Sequence, residues 1–419
     1  MRSTRPASGS LGGDRVPFFL RRPYLLARDL LVDRNDPPLE KLRAIDDPRR
    51  FVWAILPHAA RTFSACIALL PERAAEPAAV AYLYCRMLDT YEDLVVDAAA
   101  RDSALRDFAG RFDSGPAASS QATSGPGQPG NLPGGRGPHD RVRPPRLGSA
   151  TGGAGGRLQP APSIDVNHAG DQRDAGHLLL VERHRLVDRL FVDLDPTVQG
   201  LIRDLVQDMA AGMRWSNATF AAQGGVLRDR QQLARYCRGV LGHPVRFASR
   251  LLRRHQTGEA ALPPEIEENA MCVGEMIQLA NVTRDIEKDL RRGIAYHPDL
   301  AGDLGANAAD GDPQLLERVR RVREELLLMA LRRAPAYQPL IDFLSPRRLS
   351  LARASGLLML SFTDQYFRGC ADRAGRPPWG KRRSGTRLIL AALPAVWSRR
   401  WAGRRLAGIE RDFLRAAAA

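Results

Sequence analysis

The sequence predicts an all-α protein built around one large helical domain. Apolar residues recur three and four positions apart over most of the 419 residues, which is the spacing of a buried helix face. Runs that alternate between apolar and polar residues and end at turns, the pattern of strands, are nearly absent. The length allows one large domain or two ordinary ones, with an ample core in either case.

The elements follow in chain order. Residues 1–36 are predicted to be an extension that is largely disordered, because their start is small, polar and rich in Gly and Ser. The predicted domain covers 37–370. Its first helix carries apolar residues at helical spacing over 51–70 and ends at Pro71, and its second helix runs over about 77–97.

A segment of different composition, at about 113–176, interrupts the predicted domain. Gly, Pro, Ser, Ala and Arg dominate it, and such a segment cannot bury enough apolar surface to offset the loss of chain entropy. We therefore predict a disordered insertion. Helical periodicity then resumes and predicts helices over 177–213, 233–252, 266–289, 313–333 and 349–367.

Basic charge is concentrated at the C-terminal end. The formal net charge is +15, and 12 basic residues against 3 acidic ones lie from Asp372 onward. Within this arginine-rich tail, 371–419, an apolar run with Trp397 and Trp401 lies between arginine clusters and predicts an amphipathic helix. Such a helix either rests on an anionic membrane surface or is a solvated tail. Nucleic-acid binding is not expected, because no recognised binding module accompanies the charge.

The expected location is the cytoplasm, with peripheral contact at the inner face of the membrane as a further expectation. The N-terminus lacks the apolar stretch of a secretory signal. No run of about 18 uncharged apolar residues, the length of a membrane span, is present. The five cysteines include no CxxC pair, so neither a disulfide framework nor a zinc knuckle is expected.

Two aspartates, Asp89 and Asp93, lie four residues apart in the second predicted helix. On a helix they occupy one face, one turn of about 5.4 Å apart, where like charges repel. A positive group must therefore offset them. Arg86 lies one turn before Asp89 and offers a salt bridge, and a bound cation is the alternative.

A later helix carries oxygen-bearing side chains at the same spacing. Asn281, Asp285 and Asp289 recur every four residues, and Gln278 lies one turn earlier on nearly the same face. Hard divalent cations prefer oxygen ligands, and Mg²⁺ typically takes one or two carboxylates with water and substrate phosphates. Two such helices facing each other could hold a Mg²⁺ cluster that grips a diphosphate, while arginines neutralise the remaining charge. Each motif alone also fits a solvated helix face.

Together the motifs resemble those of the squalene/phytoene synthases, which join two prenyl diphosphates head to head. The first family motif is matched by Cys85, Arg86, Asp89 and Asp93. The second is matched by Gln278, Leu279, Asn281, Arg284, Asp285, Asp289, Arg292, Gly293, Tyr296 and Pro298. Thr90 and Glu92 depart from the residues that are common inside the first motif.

The resemblance implies an isoprenoid synthase fold, in which two Asp-rich helices face each other across a central cavity. It implies catalytic roles for Asp89, Asp93, Asp285, Asp289 and Tyr236. Binding of substrate diphosphates is implied for Arg61, Thr62, Tyr82, Arg86, Gln278, Arg284 and Tyr296. The implied ligands of the metal, Mg²⁺ or Mn²⁺, are Asp89, Asp93, Asn281, Asp285 and Asp289.

The implied reaction is a Mg²⁺-dependent condensation of two molecules of farnesyl or geranylgeranyl diphosphate. Loss of one diphosphate leaves an allylic cation, which the second prenyl chain attacks to give a cyclopropylcarbinyl diphosphate. A second ionisation and rearrangement give the 1′-1 linked product. Squalene needs NADPH as a reductant, whereas phytoene or dehydrosqualene forms by proton loss. The alternative is a family member that has lost catalysis and serves as an assembly or binding protein.

Overall fold

The computed structural model describes seven segments of the chain. They are residues 18–32, 36–60, 62–113, 158–164, 172–306, 312–373 and 384–418. Parts of the predicted extension, insertion and tail lie outside these segments, and so does Arg61.

Helices make up most of the described segments. In chain order the α-helices are α1 Phe18–Leu31, α2 Leu39–Arg43, α3 Pro48–Ala60, α4 Thr62–Leu69, α5 Glu72–Leu94, α6 Ala98–Gly110, α7 Gln172–Glu182, α8 His184–Val192, α9 Pro196–Ala222, α10 Arg230–Cys237, α11 His243–Thr257, α12 Pro264–Arg291, α13 Pro313–Leu331, α14 Tyr337–Phe343, α15 Leu351–Arg373, α16 Gly385–Ala392 and α17 Arg399–Ala418. A π-helix, Arg238–Gly242, joins α10 to α11. Within the described residues, extended backbone pairs at an isolated parallel bridge between Val226 and Ala295. The all-α prediction is confirmed.

Several helices begin at an aspartate that caps the first turn. Asp195 precedes α9 and accepts a hydrogen bond from the backbone N–H of Thr197 at 2.9 Å. Asp97 precedes α6 and accepts from the backbone N–H of Ala100 at 2.7 Å. Each carboxylate satisfies an amide that the helix itself leaves without an acceptor.

One hydrophobic core holds the helices together, from Leu25 in α1 to Ile409 in α17. Helix α5 packs against α3, α9 and α11, and α12 packs against α11, α13 and α15. Helix α11 therefore contacts both of the helices that carry the acidic motifs. Among the described helices, none combines the length and apolar character that crossing a membrane requires.

The described domain extends beyond both predicted boundaries, 36 and 371. Helix α1 lies within the predicted extension and is fixed to α4 by Arg22, whose guanidinium donates to the carbonyl oxygens of Ala68 at 3.0 Å and Leu70 at 2.9 Å. At the other end, α16 and α17 pack against α15. Both ends differ from the prediction because their apolar residues complete the same core.

The predicted insertion, 113–176, is described in part. Residues 158–164 lie against the domain, where the hydroxyl of Tyr91 donates to the carbonyl oxygen of Pro162 at 2.6 Å. Arg111 donates to another carbonyl oxygen of this segment, and α7 begins before the predicted end of the insertion. The composition predicted disorder throughout the insertion. Side chains elsewhere in the sequence instead hold its C-terminal part in place.

Candidate active site

The first acidic motif lies on α5, whose opposite face is buried. Leu88 and Tyr91 are fully buried in the core, whereas Asp89 is half-buried and Asp93 is exposed. Arg86 forms the predicted salt bridge with Asp89, with 3.3 Å between Nη1 and Oδ2. The positive group that the aspartate pair requires is therefore present on the same helix.

Arg86 also joins Tyr82 to this motif. Its Nη2 donates to the Tyr82 hydroxyl at 3.2 Å, and the ring of Tyr82 lies 5.7 Å from the ring of Phe63 on α4. Burial raises the pKa of Tyr82, so its hydroxyl stays protonated near neutral pH. The two α5 residues with an implied role in diphosphate binding thus lie side by side next to Asp89.

Burial and mutual repulsion weaken the acidity of the first motif. Desolvation raises the pKa of Asp89 to about 6, although Arg86 opposes this shift, and Asp93 adds to it. Desolvation, followed by repulsion from Asp93 and Asp89, raises the pKa of Glu92 to about 8. These shifts mean that further negative charge is unfavourable here, so a cation among these oxygens would be stabilised.

The second acidic motif lies on α12 and is linked to Tyr236 by amide side chains. Asn281 Nδ2 donates to Gln278 Oε1 at 3.1 Å, and Gln278 Nε2 donates to the hydroxyl of Tyr236 at 3.3 Å. Gln278 is buried. Both of its polar atoms are engaged within the protein, so Gln278 positions Asn281 and Tyr236.

The two aspartates of α12 have different surroundings. Arg284 holds Asp285 through two hydrogen bonds of 2.8 and 2.6 Å, and its guanidinium lies over the ring of Tyr366 on α15, 5.0 Å from the ring centre. Asp289 is buried. Burial, followed by repulsion from Asp285, raises the pKa of Asp289 to about 6, and Asp93 contributes to this shift. The charge of Asp93 on α5 therefore acts on Asp289 of α12.

Arg292 joins the two acidic helices. It follows α12 directly, and it donates from Nη1 to Asp93 Oδ1 at 3.3 Å and from Nη2 to the Asp93 carbonyl oxygen at 3.3 Å. Asp93 lies in the last turn of α5. One guanidinium group therefore holds the C-terminal ends of α5 and α12 together.

Tyr236, which is buried, and Tyr296, which is half-buried, form a hydroxyl pair beside the acids. Their hydroxyl oxygens are 3.3 Å apart and their ring centres 5.2 Å apart. Phe220 meets both rings edge-on, with centres 6.2 and 5.8 Å away. Burial raises the pKa of both phenols well above the ordinary value, and Glu92 and Asp289 add to both shifts. The two hydroxyls therefore stay protonated close to these carboxyl groups.

A tight turn after α12 positions Tyr296. Gly293 has a φ of +76°, a left-handed conformation that costs other residues about 1–2 kcal/mol. Beyond the turn, the backbone N–H of Ala295 donates to the carbonyl oxygen of Gly225 at 2.8 Å, and its carbonyl accepts from the N–H of Leu227 at 2.9 Å. These two bonds hold the backbone immediately before Tyr296.

The predicted metal ligands are divided between α5 and α12. Within the described part of the chain, no three His, Cys, Asp or Glu side chains lie close enough together to hold a metal ion by themselves. The donor set nevertheless fits Mg²⁺, because it consists of carboxylate and amide oxygens, and because burial, with repulsion from neighbouring carboxylates as a further cause, raises the pKa of Asp89 and of Asp289. Since Mg²⁺ usually completes its shell with water and substrate phosphates, a ready-made cluster is not required.

Comparison with protein-family models gives a match over most of the chain. The squalene/phytoene synthase family matches residues 56–383, which is well over half of the chain. The chain belongs to the squalene/phytoene synthase family. No curated protein sequence matches it.

Solved structures share the fold of this squalene/phytoene synthase family member. The complex of TcSQS with the ligand BPH1237 superimposes with a TM-score of 0.58 and 17% identity, covering 88% of this chain and 98% of that chain. The complex of TcSQS with the ligand E5700 gives a TM-score of 0.57 and 17% identity, covering 89% and 99%. The fold implied by the resemblance is therefore confirmed, and family membership makes the protein a prenyltransferase of the head-to-head type.

Most site residues implied for this squalene/phytoene synthase family member lie near one another. Helix α5 contributes Tyr82, Arg86, Asp89 and Asp93, α12 contributes Gln278, Asn281, Arg284, Asp285 and Asp289, α10 contributes Tyr236, and the turn after α12 leads to Tyr296. Arg61 and the side chain of Thr62 lie outside the described part of the chain. The individual roles of these residues stay predictions.

The resemblance implied no role for three residues that the structure places in the site. Glu92 stood out only as a departure from the family pattern, and Arg292 only as a motif residue without a role. Phe220 gave no signal in the sequence, because an aromatic residue on a helix usually belongs to the core. The pairing of Arg292 with Asp93 and the contact of Phe220 with both tyrosines become visible only when separate helices are brought together.

An open cavity of about 570 Å³ lies elsewhere, between α6 and α9. Arg106, Arg111, Gln207 and Arg214 are among the residues that line it. None of the implied site residues does, so this cavity is separate from the candidate active site.

Proposed function

We propose that the protein condenses two prenyl diphosphates head to head through a cyclopropylcarbinyl diphosphate, with Mg²⁺ as its cofactor. The proposed substrate is farnesyl diphosphate, giving squalene or dehydrosqualene, or geranylgeranyl diphosphate, giving phytoene. The observation that carries the proposal is the meeting of two acidic helices at the Asp93–Arg292 pair, beside the Tyr236–Tyr296 hydroxyl pair. Anionic metal ligands, cations for a diphosphate and an aromatic cluster packed against the core are thus neighbours.

The proposed Mg²⁺ ligands are oxygen donors on both helices. Asp89, Asp93, Asn281, Asp285 and Asp289 would hold the ion, or Mn²⁺ in its place. When bound, such an ion acts as a Lewis acid that stabilises the charge of a leaving diphosphate. Burial, with repulsion from neighbouring acids as a further cause, raises the pKa of Asp89 and of Asp289, and a bound cation would offset this cost of charging them, which supports the assignment.

Three arginines supply further positive charge for the diphosphate. Arg86, Arg284 and Arg292 each contact one proposed metal ligand. A guanidinium group matches phosphate oxygens with a planar fork of donors. A diphosphate bound between α5 and α12 would therefore meet cations from both helices and from the end of α12.

The aromatic cluster suits the cationic half of the reaction. The faces of Phe220, Tyr236 and Tyr296 attract positive charge, and their packing against the core limits the access of water that would capture an allylic cation. Because the pKa values of the two phenols are raised, their hydroxyls remain neutral and do not attack the cation as phenolates. The reaction needs both features: one part of the site must bind the leaving diphosphate, and another part must protect the allylic cation from water.

The decisive experiment is an incubation of the purified protein with Mg²⁺ and either farnesyl or geranylgeranyl diphosphate, with and without NADPH. Extracted hydrocarbons are identified by mass spectrometry. A C30 or C40 product, or the cyclopropyl intermediate, is expected. NADPH is required only if the product is squalene. Absence of all these products from both substrates would contradict the proposal and favour the alternative of a family member that has lost catalysis.

Substitution of single acids tests the metal assignment. Asp89→Asn and Asp285→Asn should each lower turnover by at least about 1,000-fold, because each removes charge that stabilises the metal and the leaving group (about 4 kcal/mol). Helix content, measured by circular dichroism, should be unchanged. Asp107→Asn on α6 is the matched control, since its exposed carboxylate accepts only from Ser103 among the described hydrogen bonds. Full activity of both test variants would refute the assignment.

A cytoplasmic location, with peripheral contact at the inner face of a membrane, remains part of the proposal. The finished product is a hydrocarbon that water does not dissolve, so release into a bilayer would remove it from the site.

A further inference from the structure

A fully buried carboxylate lies close to the candidate active site, and the proposed reaction gives it no role. Glu275 on α12 is 0% exposed and precedes Gln278 by three residues, so the two side chains are neighbours on the helix. Gln278 is the residue that donates to the Tyr236 hydroxyl at 3.3 Å. The buried acid therefore lies one helical turn from a contact that brings α10 to α12.

Two arginines from different parts of the chain hold this carboxylate. Arg238 Nε donates to Glu275 Oε2 at 3.2 Å, and Arg333 Nε donates to Glu275 Oε1 at 2.8 Å. Arg238 is the first residue of the π-helix, and Arg333 lies just after α13. Each arginine side chain is 32% exposed, whereas the acid between them is closed to water. We call these three residues the Glu275 ion network.

The network runs beside the hydrogen bond between Tyr236 and Gln278. Tyr236 and Arg238 are two residues apart at the junction of α10 and the π-helix, and their partners Gln278 and Glu275 are one turn apart on α12. Cys237 lies between them and is fully buried. Burial, followed by the charge of Glu275, raises the pKa of its thiol. Two polar contacts therefore fix the same junction at successive turns of α12.

A buried ion network is better suited to fixing an arrangement than to adding stability. Removing a carboxylate from water is costly, so apolar side chains of similar size are often as stabilising as a buried ion pair or more so. An apolar contact between α12 and the junction would also tolerate a shift along the helix. Glu275 keeps both arginines only in one register, because each of its oxygens has a separate partner.

We propose that Glu275 is a positioning residue of the candidate active site. Through Arg238 it fixes the junction that carries Tyr236, and Arg333 holds the carboxylate in the orientation that this requires. Loss of the network should let the Tyr236 hydroxyl move relative to Gln278. The expected effect on turnover rests on the proposed function, whereas the expected effect on the position of Tyr236 does not.

The first test replaces part of the network by apolar side chains of similar size. The double variant Glu275→Leu, Arg333→Met leaves Arg238 its ion pair with Glu268, so the denaturant midpoint of unfolding should be retained. Its kcat should fall about 10- to 100-fold while KM changes less than about threefold. Misplacement of a group in the site affects the chemical step more than substrate binding.

A spectroscopic measurement follows Tyr236 without any substrate. In protein labelled with 3-fluorotyrosine, the ¹⁹F resonance of Tyr236 is assigned by its loss in Tyr236→Phe. This resonance should shift or broaden in the double variant and in the single variant Arg333→Gln. Arg332→Gln, at the exposed neighbouring position, is the matched control and should change neither the resonance nor kcat. If the native protein forms no product, the proposed function fails, but the resonance still tests the position of Tyr236.

The remaining outcomes separate positioning from a structural role alone. Parallel losses of kcat and of the unfolding midpoint, with the Tyr236 resonance unmoved, would overturn the proposal. So would an unchanged kcat in both Arg333→Gln and the double variant. Arg333→Lys keeps one donor for the carboxylate and should recover most of the turnover. If the double variant does not fold, Arg333→Gln decides between the same outcomes, because its side chain is partly exposed.

Discussion

Ion pairs with arginines offset the repulsion between the acidic residues of the two motifs. Asp89, Asp93 and Asp285 are each paired with an arginine, and only for the pair Arg292–Asp93 does the arginine lie outside the aspartate's own helix. The sequence predicted the Arg86–Asp89 salt bridge from their spacing, because side chains three residues apart are neighbours on a helix. It could not predict Arg292–Asp93, since 199 positions separate the two residues.

Replacing Arg292 tests this cross-helix pair. Arg292→Gln should lower kcat/KM by about 10- to 100-fold (about 1.4–2.7 kcal/mol), because a cation for the diphosphate and a link between the acidic helices are both lost. The free energy of unfolding should change by less than about 1 kcal/mol, as for other exposed ion pairs. Arg320→Gln is the control, because Arg320 forms its ion pairs within α13. Unchanged kinetics of Arg292→Gln would contradict a role in the site.

His184 is one source of pH dependence in the fold. His184 Nδ1 lies 2.9 Å from the carbonyl oxygen of Val181, and Nε2 accepts from the backbone N–H of Ala161 at 3.0 Å. The ring must therefore be neutral, with its proton on Nδ1. Burial lowers the pKa of His184, with Asp188 opposing this and Arg111 adding to it.

Stability should fall as the pH drops through this titration. The unfolded state binds a proton at a pKa of about 6.5, whereas folded His184 binds it only at lower pH, so acidification below about 6.5 favours unfolding until the folded pKa is passed. Denaturant melts between pH 8 and pH 5 measure the effect. His184→Gln should lose this part of the pH dependence, and hydrogen exchange at Ala161 should rise in the native protein at low pH. Identical pH profiles for both proteins would contradict the prediction.

The positions of helix ends and irregular turns determine how close the helices that carry the site residues lie to one another. Periodicity predicted one helix over 233–252, but the structure contains α10, the π-helix and α11 in this region. Glycine explains the close packing here, because a Cβ at Gly274 of α12 would lie 2.3 Å from the carbonyl oxygen of Leu241 in the π-helix. Backbone therefore touches backbone one turn before Gln278, and this contact sets the distance from α12 to Tyr236.

Gly274→Ala should separate these elements. The added methyl group cannot fit without moving backbone, so the free energy of unfolding should fall by about 2–3 kcal/mol, and activity should fall with it because Gln278 and Tyr236 move apart. Gly200→Ala in α9 is the matched control, since nothing lies within 4 Å of its Cβ position. That variant should be up to about 1 kcal/mol more stable, because alanine is the better helix former. Chemical denaturation gives both values, and equal effects would exclude the packing explanation.

At the scale of the whole molecule, one buried arginine attaches the C-terminal helices to the domain. Arg353 on α15 is 1% exposed. It donates to the carbonyl oxygens of Ser345, Arg347, Arg348, Ala395 and Val396. A guanidinium has five N–H donors in a rigid plane, which matches carbonyls that come from two separate segments.

Arg353→Lys should loosen this attachment. Lysine has three donors at one point and cannot reach both segments, so several buried carbonyls lose their partners at a cost of about 2–4 kcal/mol. Hydrogen exchange should rise over 384–411 before the rest of the chain unfolds. Arg387→Lys, at an exposed position on α16, should leave exchange unchanged. A uniform increase across all helices in Arg353→Lys would argue against a local role.

The sequence by itself determined the helical class and the two acidic helix faces, because both depend on spacings within a single helix. It also determined family membership, because the family match over 56–383 is a property of the amino-acid sequence. Tertiary structure alone decided that Asp93 meets Arg292, that Phe220 joins Tyr236 and Tyr296, and that the C-terminal helices belong to the core. Each of these depends on contacts between residues far apart in sequence, which no local spacing records.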